Sequence, residues 1–233
     1  SGERPPAAEH LPPGMDSVGL IRSEYLLRER ELFLTDPAMQ DYISSYVSDL
    51  SSNGSLGDIW YRTTEVTTPE ANTLSGVDRV FYEADFMKGR RGIRRARELP
   101  ETFLLEMRLL AEIARDRPNL HVLVPFVRDL DDFRFAVEMF ESVSWPNRFG
   151  TMIEIPSAVD DVSAFVEAGA SNLLVGLNDL TGLITGTTRE AGDMKHHPSV
   201  WRAIERVAEA AEGCEWGVAG DLTEGVLERA RVS

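Results

Sequence analysis

The chain has 233 residues, 42% of them hydrophobic, enough to bury one sizeable core and read as a single domain over 1–233. Its formal net charge of −15 argues against nucleic acid as the main ligand, so any anion site must be a local arginine cluster inside an acidic surface. No apolar run approaches the roughly 20 residues that span a bilayer, no secretory signal is visible, and the single cysteine, Cys214, excludes an internal disulfide and fits a reducing, cytoplasmic compartment.

The chain opens on Ser1 rather than methionine, which points to processing, a tag scar or excision from a longer protein. Residues 1–13 form a Pro-rich lead-in with Pro5, Pro6, Pro12 and Pro13. Val18 to Arg22 reads as a short buried strand, and Ala38 to Leu50 as a helix stopped by Ser51-Ser-Asn-Gly54. Ile59 to Thr63 has the β-branched and aromatic bias of a strand. Residues 65–90 are polar and irregular, a long loop of the kind that often carries function. Pro100 opens a helix to Arg115, with Phe103, Met107, Leu110 and Ala114 at helical spacing. Strand 120–126, helix 129–142, strand 150–155, helix 159–168 and strand 172–177 follow. Helix 199–212, strand 215–219 and helix 223–231 end the chain. Strands alternating with helices predict βαβ units and a parallel sheet, an α/β fold.

The densest chemistry lies in Met152-Ile-Glu-Ile-Pro156 and Gly176-Leu-Asn-Asp-Leu-Thr181. Each reads as an apolar strand ending in a carboxylate, Glu154 and Asp179, with one helix-length segment between. In a (β/α) barrel neighbouring strand tips converge on one face. Two carboxylates there suit a hard divalent cation such as Mg²⁺, which takes oxygen ligands and leaves positions for substrate oxygens. Glu154 also has a simpler reading, as an acid near a helix start beside Ser157.

Seven segments occur in one order: Gly19-Leu-Ile-Arg-Ser-Glu24, Tyr61-Arg-Thr63, Gly89-Arg-Arg-Gly-Ile-Arg94, Val124-Pro-Phe126, Met152-Ile-Glu-Ile-Pro156, Asn178-Asp-Leu-Thr181 with Arg189, and Gly217-Val-Ala-Gly220. Over roughly residues 14–222 this order resembles the phosphoenolpyruvate/pyruvate-binding domain of the PEP-utilising enzymes, which include pyruvate phosphate dikinase, phosphoenolpyruvate synthase and enzyme I of the sugar phosphotransferase system. The resemblance implies a TIM-type (β/α)8 barrel, here incomplete or irregular at its first and last strands.

It also implies roles. Glu154 and Asp179 match the family's Mg²⁺ ligands. Arg22, Arg62, Arg91 and Arg189 match the arginines that hold phosphoryl and carboxylate groups, with Arg22, Arg62 and Arg91 in catalytic positions. Arg90 and Arg94 flank Arg91 and leave its register open. Asn178 matches the asparagine that contacts the substrate phosphate, and Glu24 lies in the first arginine's motif on the substrate side. Arginine's planar fork grips carboxylate and phosphate bidentately, and phosphoryl transfer is largely positioning plus electrostatics.

The departures carry equal weight. The family's proton-donating cysteine stands in a Cys-Gly-Glu or Cys-Gly-Gln sequence, where this chain reads Ala219-Gly220-Asp221. Cys214 is at the other end of that strand, about 15 Å away at roughly 3.3 Å per residue. Glu65-Val-Thr-Thr-Pro-Glu70 replaces the family's Asp and Gly-Gly-Asp-Lys segment. No phosphohistidine motif is present, so phosphoryl relay needs a phosphohistidine or nucleotide-binding partner domain or chain. Open sheet edges at the missing strands favour association, including a homo-dimer.

His196 and His197 read as solvent-facing, His121 as a satisfied core residue and Cys214 as a buried or half-buried thiol. The function expected is a Mg²⁺-dependent phosphotransferase-type domain binding phosphoenolpyruvate, pyruvate or a close analogue, with proton transfer altered at Ala219. The alternatives are a non-catalytic ligand-sensing or assembly subunit, and a pyruvate-enolate lyase or aldolase.

Overall fold

A computed structural model describes residues 16–77, 82–85, 89–188 and 192–222. The lead-in 1–13, the helix expected over 223–231 and Arg189 lie outside the described residues. The fold is α/β, and its residues fall in two compact units. One is drawn from Ser1–Pro125 and Phe135–Arg148, the other from Phe126–Arg134 and Phe149–Ser233.

The first unit carries parallel strands β1 (Val18–Arg22), β2 (Ile59–Arg62) and β3 (Leu120–Val124). Every residue of β2 and β3 is buried, as expected for parallel strands covered on both faces. The register pairs Arg22 with Arg62 and Arg62 with Leu123. Helix α1 (Ser23–Arg30) starts directly at the end of β1. Helix α2 (Pro37–Ser51) is set by Asp36, whose side chain accepts from the Ala38 N–H, and by proline at its first position. It buries Met39, Ile43, Val47 and Leu50 at helical spacing. The short α3 (Thr68–Ala71) is fixed by a reciprocal pair: the Thr67 hydroxyl oxygen accepts from the Glu70 N–H, and the Glu70 carboxylate accepts from the Thr67 N–H. Helix α4 (Ile93–Glu98) is followed by α5 (Pro100–Ala114), which buries Phe103, Met107 and Leu110 together with one acid, Glu106. Helix α6 (Leu130–Ser142) comes next in the chain.

The second unit carries parallel strands β4 (Phe149–Ile153), β5 (Asn172–Gly176) and β6 (Glu215–Ala219), with Ile153 beside Val175 and Gly176 beside Ala219. Between β4 and β5 lie α7 (Pro156–Asp160) and α8 (Val162–Glu167). Then come α9 (Leu177–Thr185), a 3₁₀ turn (Gly192–His196) and α10 (Pro198–Ala210).

Four local differences from the sequence expectation have physical causes. The helix expected over 159–168 divides at Asp161, whose carboxylate accepts from the Leu130 N–H at 3.0 Å. Helix α1 was legible only as Leu26-Leu27, because the rest of Ser-Glu-Tyr-Leu-Leu-Arg-Glu-Arg is polar. Helix α4 is short and arginine-rich, so it has no apolar stripe to betray it. Helix α9 lies in a segment whose Asn, Asp and Gly content reads as loop.

Candidate functional site

In the first unit the chemistry sits at the ends of β1 and β2. Because α1 starts at Ser23, Arg22 is the last strand residue and Glu24 lies in the first helical turn. Glu24 Oε1 accepts from Arg22 Nε at 2.7 Å and from an Arg62 guanidinium nitrogen. The same Arg62 nitrogen donates to Glu65 Oε2 at 3.1 Å, and Arg91 Nε donates to Glu65 Oε1 at 2.6 Å. The result is one alternating chain, Arg22–Glu24–Arg62–Glu65–Arg91. Four of its members are buried: Glu24 at 1% exposed, Arg62 and Glu65 at 4%, and Arg91 at 1%. The Arg22 side chain is 31% exposed and lies over the Tyr25 ring, 4.4 Å from its centroid.

Buried ions lose hydration, and paired charges recover it only with good geometry, so such a chain is weak evidence for stability. Its composition is the informative part. Three guanidiniums and two carboxylates alternate, and only Arg22 reaches solvent. The acids hold the forks in position, and an incoming anion would meet arginines already desolvated and aimed.

Among the arginines near Arg91, position separates the roles. Arg90 pairs with Glu98 at 2.7 Å near the surface, while Arg91 is the one that joins Glu65. The Arg91 turn is held by the Ile93 N–H donating to the Pro125 carbonyl at 3.0 Å, with Gly92 at φ 50°. Glu65 is placed through its neighbour. The Thr64 N–H and hydroxyl both donate to Glu106, at 3.0 and 2.8 Å. The Tyr61 hydroxyl donates to the same carboxylate at 3.0 Å. Burial pushes the Glu106 carboxyl up to about 7, against these hydrogen bonds, which favour the charged form. Burial likewise raises the Tyr61 hydroxyl above its usual range.

In the second unit Glu154 follows β4 directly and is 1% exposed. Its Oε2 accepts from the Phe126 N–H at 3.0 Å. Its side chain lies against Gly176: a Cβ there would come within 2.4 Å of Glu154 Cγ and 2.8 Å of Oε1, so an added methyl group would push the Glu154 side chain aside. Gly176 ends β5 and precedes α9, whose first turn carries Asn178 and Asp179. Asp179 is therefore a helical residue and not the last residue of a strand, which corrects the strand-tip reading. The cause is the immediate start of α9 at Leu177, whose N-terminal turn favours an acid. Asp179 is 7% exposed. Asn178 Oδ1 accepts from the Asp221 N–H at 3.4 Å, which ties it to Ala219-Gly220-Asp221 after β6.

Two hard carboxylates separated by the Gly176 turn suit Mg²⁺, which is commonly held by one or two protein carboxylates with water and substrate completing the shell. Among the described residues no group of three or more metal-ligating side chains is assembled.

The remaining sequence candidates are structural. His121, 3% exposed, hydrogen-bonds to Asp58 and Arg148, each at 3.0 Å. His196 and His197 are exposed, and His197 Nδ1 accepts from the Ser199 N–H to cap α10. Cys214 is half-buried and donates to the Ala170 carbonyl at 3.3 Å, with burial raising its thiol pKa. Sequence reasoning missed three buried groups. Glu65 had its position three residues after Arg62 as a signal, and Glu106 its place on the apolar stripe of α5 between Phe103 and Met107. Lys195, 3% exposed, donates to Asp221 Oδ2 at 3.0 Å, and nothing in its sequence context marked it.

The chain is 31% identical over 231 residues to the phosphoenolpyruvate-protein phosphotransferase of Haloferax volcanii, covering 90% of this chain and 39% of that protein. It is 25% identical over 226 residues to a probable phosphoenolpyruvate synthase of Pyrococcus abyssi, covering 89% and 28%. It thus spans about a fifth to two fifths of the length of the curated relatives it matches. Among solved structures it resembles the protein CitE from Mycobacterium tuberculosis in complex with magnesium and acetate, with TM-score 0.51 and 14% identity over 94% of this chain and 80% of that one, a likeness of fold alone. The model of the PEP-utilising enzyme, PEP-binding domain, matches residues 2–224, and the chain belongs to that family.

Proposed function

We propose that this chain is the Mg²⁺-dependent phosphoenolpyruvate/pyruvate-binding domain of a phosphotransferase-type enzyme. The observation that carries the reading is the Arg22–Glu24–Arg62–Glu65–Arg91 chain, three guanidiniums gathered at the ends of β1 and β2 with four of the five members buried. In this reading Arg62 and Arg91 grip the phosphoryl group and Arg22 the carboxylate side, with Asn178 and Arg189 completing the substrate contacts. Glu24 and Glu65 hold the forks until the anion enters. Glu154 and Asp179 would hold Mg²⁺, which when bound supplies positive charge to the substrate oxygens on which charge develops. The strand–helix order of each unit supports the TIM-type barrel of the family as its architecture.

One observation favours a second reading. Ala219 closes β6 and has no proton to give, so the domain would bind its ligand without interconverting phosphoenolpyruvate and pyruvate. It would then serve as a ligand-sensing part of a larger assembly, or supply the phosphoryl group to another acceptor through a partner domain.

Calorimetric titration with phosphoenolpyruvate, pyruvate and oxalate, each with and without Mg²⁺, tests the primary reading. Saturable binding of oxalate that requires Mg²⁺ is expected. Absence of binding by all three ligands would reject it.

A further inference from the structure

A second concavity opens in the first unit, where β2, α4 and α5 meet. It is a half-open concavity, and only a small part of its space is closed off from solvent. Phe33, Leu34, Leu99 and Phe103 line it, together with two ionisable side chains, Arg95 and Glu106.

Arg95 is the unusual element. It is 6% exposed, yet among the described residues no carboxylate forms an ion pair with it. Among the described residues its hydrogen bond runs from a terminal nitrogen to Thr68 Oγ1 at 2.9 Å, and the Thr68 hydroxyl in turn donates to Glu83. The Arg95 Nε is buried and has no hydrogen-bond partner. Burial lowers the Arg95 pKa from the ordinary guanidinium value, while Glu83 and Glu98 act on it from beyond contact. A buried guanidinium lacking an ion partner is costly, because the donor has lost water without gaining an acceptor. Glu106 does not serve as that partner. Its oxygens are taken by Tyr61 and Thr64, and its near-neutral pKa lowers the negative charge it adds to the wall.

We propose that this cavity is a second ligand site, for a short apolar monocarboxylate. Arg95 receives the carboxylate, and Phe33, Leu34, Leu99 and Phe103 enclose the hydrocarbon body. Few convergent polar groups in a mostly apolar concavity are the usual make-up of a small-molecule site. A phosphate or a polyanion fits poorly, since one guanidinium is the only cation on the wall and the rest is hydrocarbon, hydroxyl and a carboxyl group. The floor of the cavity includes Thr63 and Thr64, which lead into Glu65. An occupant would therefore touch the backbone that places the charged chain, and the site is one from which ligand binding at the arginines could be tuned.

The test uses isovalerate as probe, with isovaleramide as its neutral isostere, titrated into the unmodified chain and followed by ligand-observed NMR. Saturable binding of isovalerate is expected, with isovaleramide at least about tenfold weaker, the usual worth of a charge-assisted hydrogen bond. Arg95→Met should lose affinity by a similar factor while keeping the side chain's apolar stem, and Leu99→Trp should block the cavity. Oxalate with Mg²⁺ should not displace isovalerate, which separates this site from the proposed phosphoenolpyruvate site. Equal binding of acid and amide, no saturable isovalerate binding, or wild-type affinity in Arg95→Met would each overturn the proposal. The acid–amide comparison needs no variant and decides the matter even if a substitution prevents folding.

Discussion

Arg22 and Arg62 are lateral partners in the parallel register of β1 and β2, and one oxygen of Glu24 accepts from both guanidiniums. Two cations side by side would repel. The acid in the next helical turn joins them, and the same device recurs at Glu65 between Arg62 and Arg91. The pattern has no need of a bound anion to stay assembled, and it offers an anion a preformed set of forks.

Arg62 bridges both acids, so it is the sharpest probe of the arginine chain. Each charge-assisted contact to a phosphate contributes about 1.5–3 kcal/mol. Arg62→Ala should weaken phosphoenolpyruvate binding by at least about tenfold, read by calorimetry. Unchanged affinity would remove Arg62 from the ligand site.

The acids of the second unit are expected to govern metal dependence. Glu154→Gln keeps the shape and an acceptor for the Phe126 N–H, but removes the charge. Oxalate binding should then lose its dependence on Mg²⁺ while the circular dichroism spectrum is preserved. Gly176→Ala should have a like effect for a different reason, since its methyl group would fall 2.4 Å from Glu154 Cγ and displace the carboxylate.

Glu106 sets a pH dependence of stability. Its folded pKa of about 7 lies above the ordinary carboxyl value of 4.5, so the folded state binds the proton more tightly than the unfolded chain. Its contribution is fully present below about pH 4.5 and is lost as pH rises through 7, amounting to about 3 kcal/mol at 1.36 kcal/mol per pKa unit. Urea unfolding of wild type and Glu106→Gln between pH 5 and 8 should show this decline in wild type and a flatter profile in the variant. Parallel profiles would mean Glu106 keeps an ordinary carboxyl pKa.

In the proposed function Ala219 supplies no general acid at the end of β6, and such catalysis typically gives about 10²–10⁴-fold. The protein should not exchange the methyl protons of pyruvate with deuterated water at a useful rate, even with Mg²⁺. Ala219→Cys should raise that exchange. Rapid exchange by the unmodified chain would place the acid elsewhere, and Lys195, whose amine reaches Asp221 two residues after Ala219, is the first group to replace.

The sequence by itself determined the class of the fold and the family. Apolar runs at strand length alternate with helical stripes such as Met39, Ile43, Val47 and Leu50, and local periodicity is enough to fix α/β order. Motif order supplied the family, since Arg-Ser-Glu, Arg-Thr and Glu-Ile-Pro are short strings legible without coordinates. Helices α1, α4 and α9 escaped, because α1 and α4 are short and rich in charge and α9 carries the Asn, Asp and Gly that read as loop. Only tertiary structure decided which arginine near residue 90 turns inward, because Arg90, Arg91 and Arg94 are alike in sequence and differ only in the backbone turn at Gly92. Tertiary structure alone also recruited Glu65 and Glu106 and left Arg95 without an ion partner among the described residues. Burial and charge partnership are properties of packing, formed by residues as far apart in the chain as Glu24 and Arg62, and no local pattern encodes them.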